Sequence, residues 1–273
     1  MTCHKFLVFL ILALLWVQTP KPPTNLTAAV AGASMSSFTF VNSAATGTLS
    51  GGATSIDVAV TNVQAGDLVV IFAKWEGTVG TPSMSDGTSS LTLDPDGVKS
   101  HASGDPRTAM FYLLSSVASG TVTYTLTYGA NQAWRDLIAM VYRPSGGTVD
   151  FKDSVTGSGT GTPASSGNIT TSTKTGVAFA GYGENGTPPS NLAINGAAPD
   201  QTRYVAIVCN AVLFSKGYTV GYTGAATLTL EESNRYNLAL IAFEITDAGG
   251  GYVPYPFSRG ARGGQLDRSG GLQ

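Results

Sequence analysis

The chain has 273 residues, 12% of them charged, and a formal net charge of −2, which leaves no field for steering nucleic acid or anionic lipid. With 42% hydrophobic residues and so little charge it is not a disordered chain. Its two cysteines, Cys3 and Cys209, cannot build a disulfide framework, so packing and backbone pairing must hold the fold.

The first element is "MTCHKFLVFLILALLWV", in which Lys5 precedes an apolar run from Phe6 to Val17 that is expected to be helical. The run is short for a membrane span and fits the apolar region of an export signal. A Pro-rich stretch follows, with small residues near Ala31 and Ala33 where cleavage could occur. Residues 1–34 therefore read as a signal peptide, as an anchor through 6–17 with a Pro-rich stalk, or as a dispensable extension ahead of Met35.

Beyond it, apolar or alternating runs recur between Gly, Pro, Asn, Asp and Ser clusters. Strands are expected at 36–42, 55–60, 67–76, 91–94, 108–116, 121–128 and 135–143. A second set falls at 168–172, 176–183, 203–214, 218–222, 226–232 and 236–245. No helical period is sustained after the N-terminal run, so the fold class is all-β. The two sets run in the same order. "AGDLVVIFAKWEGT" (65–78) answers "KTGVAFAGYGENGT" (174–187), "RTAMFYL" (107–113) answers "RYVAIVC" (203–209), "TVTYTLTY" (121–128) answers "ATLTLEES" (226–233), and "RDLIAMVYR" (135–143) answers "YNLALIAFE" (236–244).

Several runs, such as "DLVVIFA" and "LALIAFEI", are apolar at every position and need cover on both faces. The expectation is one antiparallel β-sandwich over 35–248, with halves 35–153 and 168–248 sharing a core. The Gly/Ser/Thr-rich 154–167 reads as the loop joining them, and 249–273 as a Gly/Arg-rich flexible tail. That tail is either disordered or a docking peptide, with Tyr252, Tyr255 and Phe257 as anchors beside Arg259 and Arg262.

Chemistry is sparse. His4 lies in the leader and His101 in a polar loop, which argues against a His-rich zinc site or a Ser-His-Asp triad. Glu76 and Glu184 end the two matched strands, where carboxylates are usually solvated rather than paired for glycoside hydrolysis. Asp94 and Asp96 in "LTLDPDG" could contribute to a calcium site or simply close a tight turn. Trp75, Trp134 and Tyr182 stand near strand ends, where aromatic rings stack on sugars or pack into the core. "NLT" (25–27), "NIT" (168–170) and "NGT" (185–187) are glycosylation sequons. The residues call for no cofactor and no enzyme activity.

In "SIDVAVTNVQAGDLVVIFAKW", "MFYLLSSVASGTVTYTLTY" and "LALIAFEI", the core resembles a loosely defined group of β-sandwich proteins found among tailed-phage structural proteins and secreted bacterial surface proteins. The resemblance implies a jelly-roll-like sandwich on a virion surface or outside the cell, without catalysis. The expected function is a virion structural or decoration protein that pairs with itself or with neighbouring virion subunits. The alternative is a secreted adhesion or carbohydrate-binding module that meets a surface glycan.

Overall fold

The computed structural model describes residues 36–48, 52–77, 80–101, 104–184, 188–206, 210–230 and 235–247. The expected N-terminal helix, Cys209 and the tail with Tyr252, Tyr255, Phe257, Arg259 and Arg262 lie outside the described residues. Among those described there is no helix, and every strand pairing is antiparallel.

The first strands are β1 (Ser37–Thr48), β2 (Ala53–Val63), β3 (Leu68–Glu76), β4 (Ser83–Ser85), β5 (Thr92–Leu93), β6 (Lys99–Ser100), β7 (Arg107–Leu113) and β8 (Gly120–Ser145). The rest are β9 (Gly147–Thr160), β10 (Ala164–Thr170), β11 (Gly176–Glu184), β12 (Ser190–Ile194), β13 (Gln201–Ala206), β14 (Asn210–Tyr218), β15 (Thr223–Thr229) and β16 (Arg235–Asp247). Two strand patterns occur, and each follows from how many faces are covered. In β2, buried Ile56, Val58 and Val60 alternate with exposed Asp57 and Ala59, as one-sided burial demands. In β3 every residue from Leu68 to Trp75 is buried, and in β11 every residue is. Those strands are covered on both sides.

The pairing accounts for this. One sheet runs in the order β1-β8-β3-β7-β5, and another in the order β9-β16-β11-β14-β13. Smaller sets are β2 and β4 on the N-terminal part of β8, and β10-β15-β12. The two orders coincide when β9, β16, β11, β14 and β13 are set against β1, β8, β3, β7 and β5. In the same way, β10, β15 and β12 match β2, the start of β8, and β4. The sequence had already hinted at this repetition, and hydrogen-bond register now gives it residue by residue. Phe72 pairs with Ile138 as Gly181 pairs with Ala239, and Lys74 pairs with Asp136 as Gly183 pairs with Asn237.

Three apolar cores separate the layers. Val69, Ile71, Ala73 and Trp75 of β3 face Val58, Val60, Tyr124 and Leu126 in the first. Ala178, Ala180 and Tyr182 of β11 face Ala226 and Leu228 in the third. Between them, Leu68, Val70, Phe72, Met110, Ile138 and Met140 of the first half meet Val177, Phe179, Leu213, Ala239, Ile241 and Phe243 of the second. Fully burying each such side chain is worth about 1.5–3 kcal/mol, so this middle core binds the halves strongly. Phe72 seats its ring on Gly181, where a Cβ would overlap the ring.

Three sequence expectations change. Residues 154–167, read as a joining loop, belong mostly to β9 and β10, and β9 pairs with β16 along its length. Its glycines serve close approach rather than flexibility, because a Cβ on Gly157 would overlap the Ser165 carbonyl. The single strand expected at 203–214 is a hairpin, in which β13 pairs with β14 through Tyr204 and Val212. The counterpart of β7 is therefore β14, and not 203–209.

Candidate functional site

The middle core opens differently at its two ends. At one end lies a cavity of about 600 Å³ open to solvent, lined by Phe38, Phe40, Tyr142, Val177, Asp200 and Tyr218, among others. That is within the ordinary range for small-ligand sites. The alternation in β1 turns Phe38 and Phe40 toward the middle core, against which both pack. Tyr142 is held on three sides. Its ring meets Phe40 edge-on at 5.5 Å and Phe179 at 5.3 Å, and its hydroxyl shares a hydrogen bond with Ser215 Oγ at 2.7 Å. Burial pushes the Tyr142 hydroxyl up to about 12, so it stays protonated at neutral pH.

The polar side of the cavity is equally fixed. Asp200 accepts from Lys216 Nζ at 2.6 Å and from the Gly217 backbone N–H at 2.8 Å. Tyr218 donates its hydroxyl toward the Phe243 carbonyl at 3.2 Å and Glu244 Oε1 at 3.4 Å. Glu244 in turn accepts from the Ser172 N–H and hydroxyl, both at 2.6 Å. Aromatic walls with the Asp200 carboxylate at the rim suit a ring that is apolar on its face and polar at its edge.

At the other end the core closes over charge. Thr108, Lys74 and Asp136 stand side by side across β7, β3 and β8, in direct register. The equivalent row in the second half is Ala211, Gly183 and Asn237. A Cβ on Gly183 would come within 2.9 Å of Thr108 Cγ2 and 3.0 Å of Lys74 Cγ, so the two rows face each other. Lys74 Nζ lies 3.9 Å from Asp136 Oδ2, with the side chains 0% and 4% exposed. Burial pushes the Asp136 carboxyl up to about 7, Lys74 opposing that rise and Glu76 adding to it. Asn237, also buried, donates Nδ2–H to the Pro106 carbonyl at 2.7 Å.

The residues singled out from sequence sit elsewhere, and the structure does not bring them together. Trp75 is fully buried in the first core, its ring 5.5 Å from that of Tyr128. Tyr182 is fully buried in the third core. Neither ring has a face open to a sugar, so both are corrected to core residues. Strand-end position misled here because Trp75 and Tyr182 lie on the faces of β3 and β11 that the outer layers cover. Trp134 is half-buried at φ 49°, where β8 passes from its pairing with β2 at Gln132 to its pairing with β1 at Arg135. It marks the bend of β8 rather than the cavity wall.

Asp94 and Asp96 form a turn. The Gly97 N–H donates to the Asp94 carbonyl at 2.7 Å, and the Asp96 N–H reaches the Asp94 carboxylate at 3.3 Å. Asp94 is 3% exposed, and burial raises its carboxyl above the ordinary value. Among the described residues no group of three His, Cys, Asp or Glu side chains could hold a metal ion. The cavity residues carried no sequence signal, since Phe38, Phe40, Tyr142 and Tyr218 come from strands far apart in the chain. No family model, curated protein or solved structure matches this chain.

Proposed function

We propose that the protein is a non-enzymatic structural protein displayed on an assembled particle, a virion decoration-type module whose jelly-roll-like β-sandwich architecture is built from two similar halves. The observation that carries this reading is the middle core, which fuses the two halves face to face into one block. A block with apolar packing through every layer resists shear and presents its outer sheets and loops without an internal hinge. Proteomic analysis of purified particles from the source culture tests it. The chain is expected in the particle fraction at many copies per particle. Recovery only as a soluble protein, monomeric at high concentration in sedimentation, would overturn the reading.

A second reading, a carbohydrate-binding module, rests on the cavity beside Phe38, Phe40 and Tyr142. A glycan array with the full chain tests it, read beside a Phe38→Ala variant. Signals for the parent that disappear in the variant support it, and a blank array for the parent removes it.

A further inference from the structure

We propose that Lys74 and Asp136 condense in the folded chain to an amide, an isopeptide cross-link between β3 and β8.

The pair is sealed between the two larger sheets, and both atoms that would react are unsatisfied. Lys74 Nζ and Asp136 Oδ2 have no hydrogen-bond partner among the described residues. At 3.9 Å they are too far apart to share a hydrogen bond and too close for a water molecule between them. An ammonium and a carboxylate held this way have lost their hydration without gaining a proper ion pair, which is an unfavourable state. Condensation removes both faults. Oδ2 leaves, and an ammonium with three donors becomes an amide with one.

The surroundings favour the step. Proton transfer inside the pair gives a neutral amine and a neutral acid, and desolvation of the Asp136 carboxyl pushes in that direction. Register fixes the two side chains as direct cross-strand neighbours, so the reaction is unimolecular and needs no diffusion. The glycine opposite Lys74 leaves room for its stem, and Asn237 in the facing row has an Oδ1 with no partner among the described residues. The other charged groups at the ends of β3, β7 and β8 are Glu76, Arg107 and Arg135, and in the facing row Glu184 ends β11 and Arg235 begins β16. Of these, Arg135 is engaged with the Ser55 carbonyl, and Arg107 lies 4.0 Å from Asp105.

In the step itself, the Nζ lone pair attacks Cγ of Asp136 and a C–N bond forms. The Cγ–Oδ2 bond breaks, and Oδ2 departs as water carrying the carboxyl proton and one proton from Nζ. One amine and one acid become one amide and one water, with no change of oxidation state and no outside reagent.

Intact mass spectrometry of the denatured full-length protein tests the proposal, with peptide mapping after tryptic digestion. The wild type is expected to be lighter than its sequence by one water, and Lys74→Arg, which keeps the same N-terminal processing, to show no such loss. Digestion is expected to leave the bond after Lys74 uncut and to yield one branched peptide containing Lys74 and Asp136. A wild-type mass equal to the sequence, with linear peptides only, overturns the proposal whatever the variant does. A loss of ammonia with a branch at Asn237 overturns the assignment to Asp136.

Discussion

Gly181→Ala is the sharpest perturbation of the middle core, because it places a methyl group in the space of the Phe72 ring. The ring is fully buried, and β11 is held between β14 and β16, so neither side can retreat freely. Overpacking of this kind costs about 1–3 kcal/mol. Removing the ring instead, by Phe72→Ala, costs about 3–5 kcal/mol through lost transfer energy and the cavity left behind. In the doubly substituted chain the new methyl enters the vacated space, so the two losses do not add. A coupling of about 1–2 kcal/mol, favourable to the double variant, is expected. Equilibrium urea unfolding of the four chains, with midpoint and slope read for each, measures it. In heat, each kcal/mol lowers the melting temperature by about 2–4 °C for a domain of this size. Losses that add to within about 0.5 kcal/mol would refute the contact between halves. A Gly181→Ala chain as stable as the parent would refute it equally.

Trp75→Ala is expected to cost about 3–5 kcal/mol in urea unfolding, because the ring fills the first core; a small loss would return Trp75 to the surface. Arg143 forms a two-pronged bond to Asp67, Nε at 2.8 Å and an Nη at 3.0 Å, and the Asp67 side chain is only 1% exposed. Arg143→Ala is therefore expected to lose about 2–3 kcal/mol at neutral pH, well beyond a surface ion pair, and a loss near zero would contradict that geometry. For Asp94 the folded state binds its proton more tightly than the unfolded chain does, since burial raises its carboxyl above 3.8. Its contribution to stability is thus greatest below that value and declines as pH rises through the folded-state value. The difference in urea midpoint between Asp94→Asn and the parent is expected to widen over that interval in favour of the variant, and a constant difference would refute the shift.

Much of the layering was legible in the sequence because apolar patterning reports how many faces of a strand are covered. The uninterrupted runs at 68–75 and 176–183 lie between two cores each, and the alternation at 55–60 lies over one. What patterning does not report is which strand pairs with which. β13 and β14 together read as one apolar run over 203–214, which sets 203–209 against β7. Only the bonds from β11 to β14 decide between them. Composition also misled at 154–160, where Gly, Ser and Thr suggested a flexible joint. Those small residues instead allow β10 and the Tyr236 ring to press against β9. The sequence pointed to the polar strand ends at 74–76 and 183–185, but not to the cavity at the other end of the middle core or to the partner of Lys74. Lys74, Asp136 and Asn237 are far apart in the chain, and a buried lysine looks the same in sequence as a solvated one.

The middle core also bears on how the chain depends on dilution. A chain with only one of its two repeats would turn Leu68, Val70, Phe72, Met110, Ile138 and Met140 toward water. Such a face would be covered only when a second molecule arrived, and coverage would fail as the protein was diluted. Carrying both repeats on one polypeptide makes that meeting intramolecular, at an effective concentration of about millimolar order for a short connection. The pairing of the two faces is then set by the chain itself, and the folded block survives in surroundings where its own kind is rare.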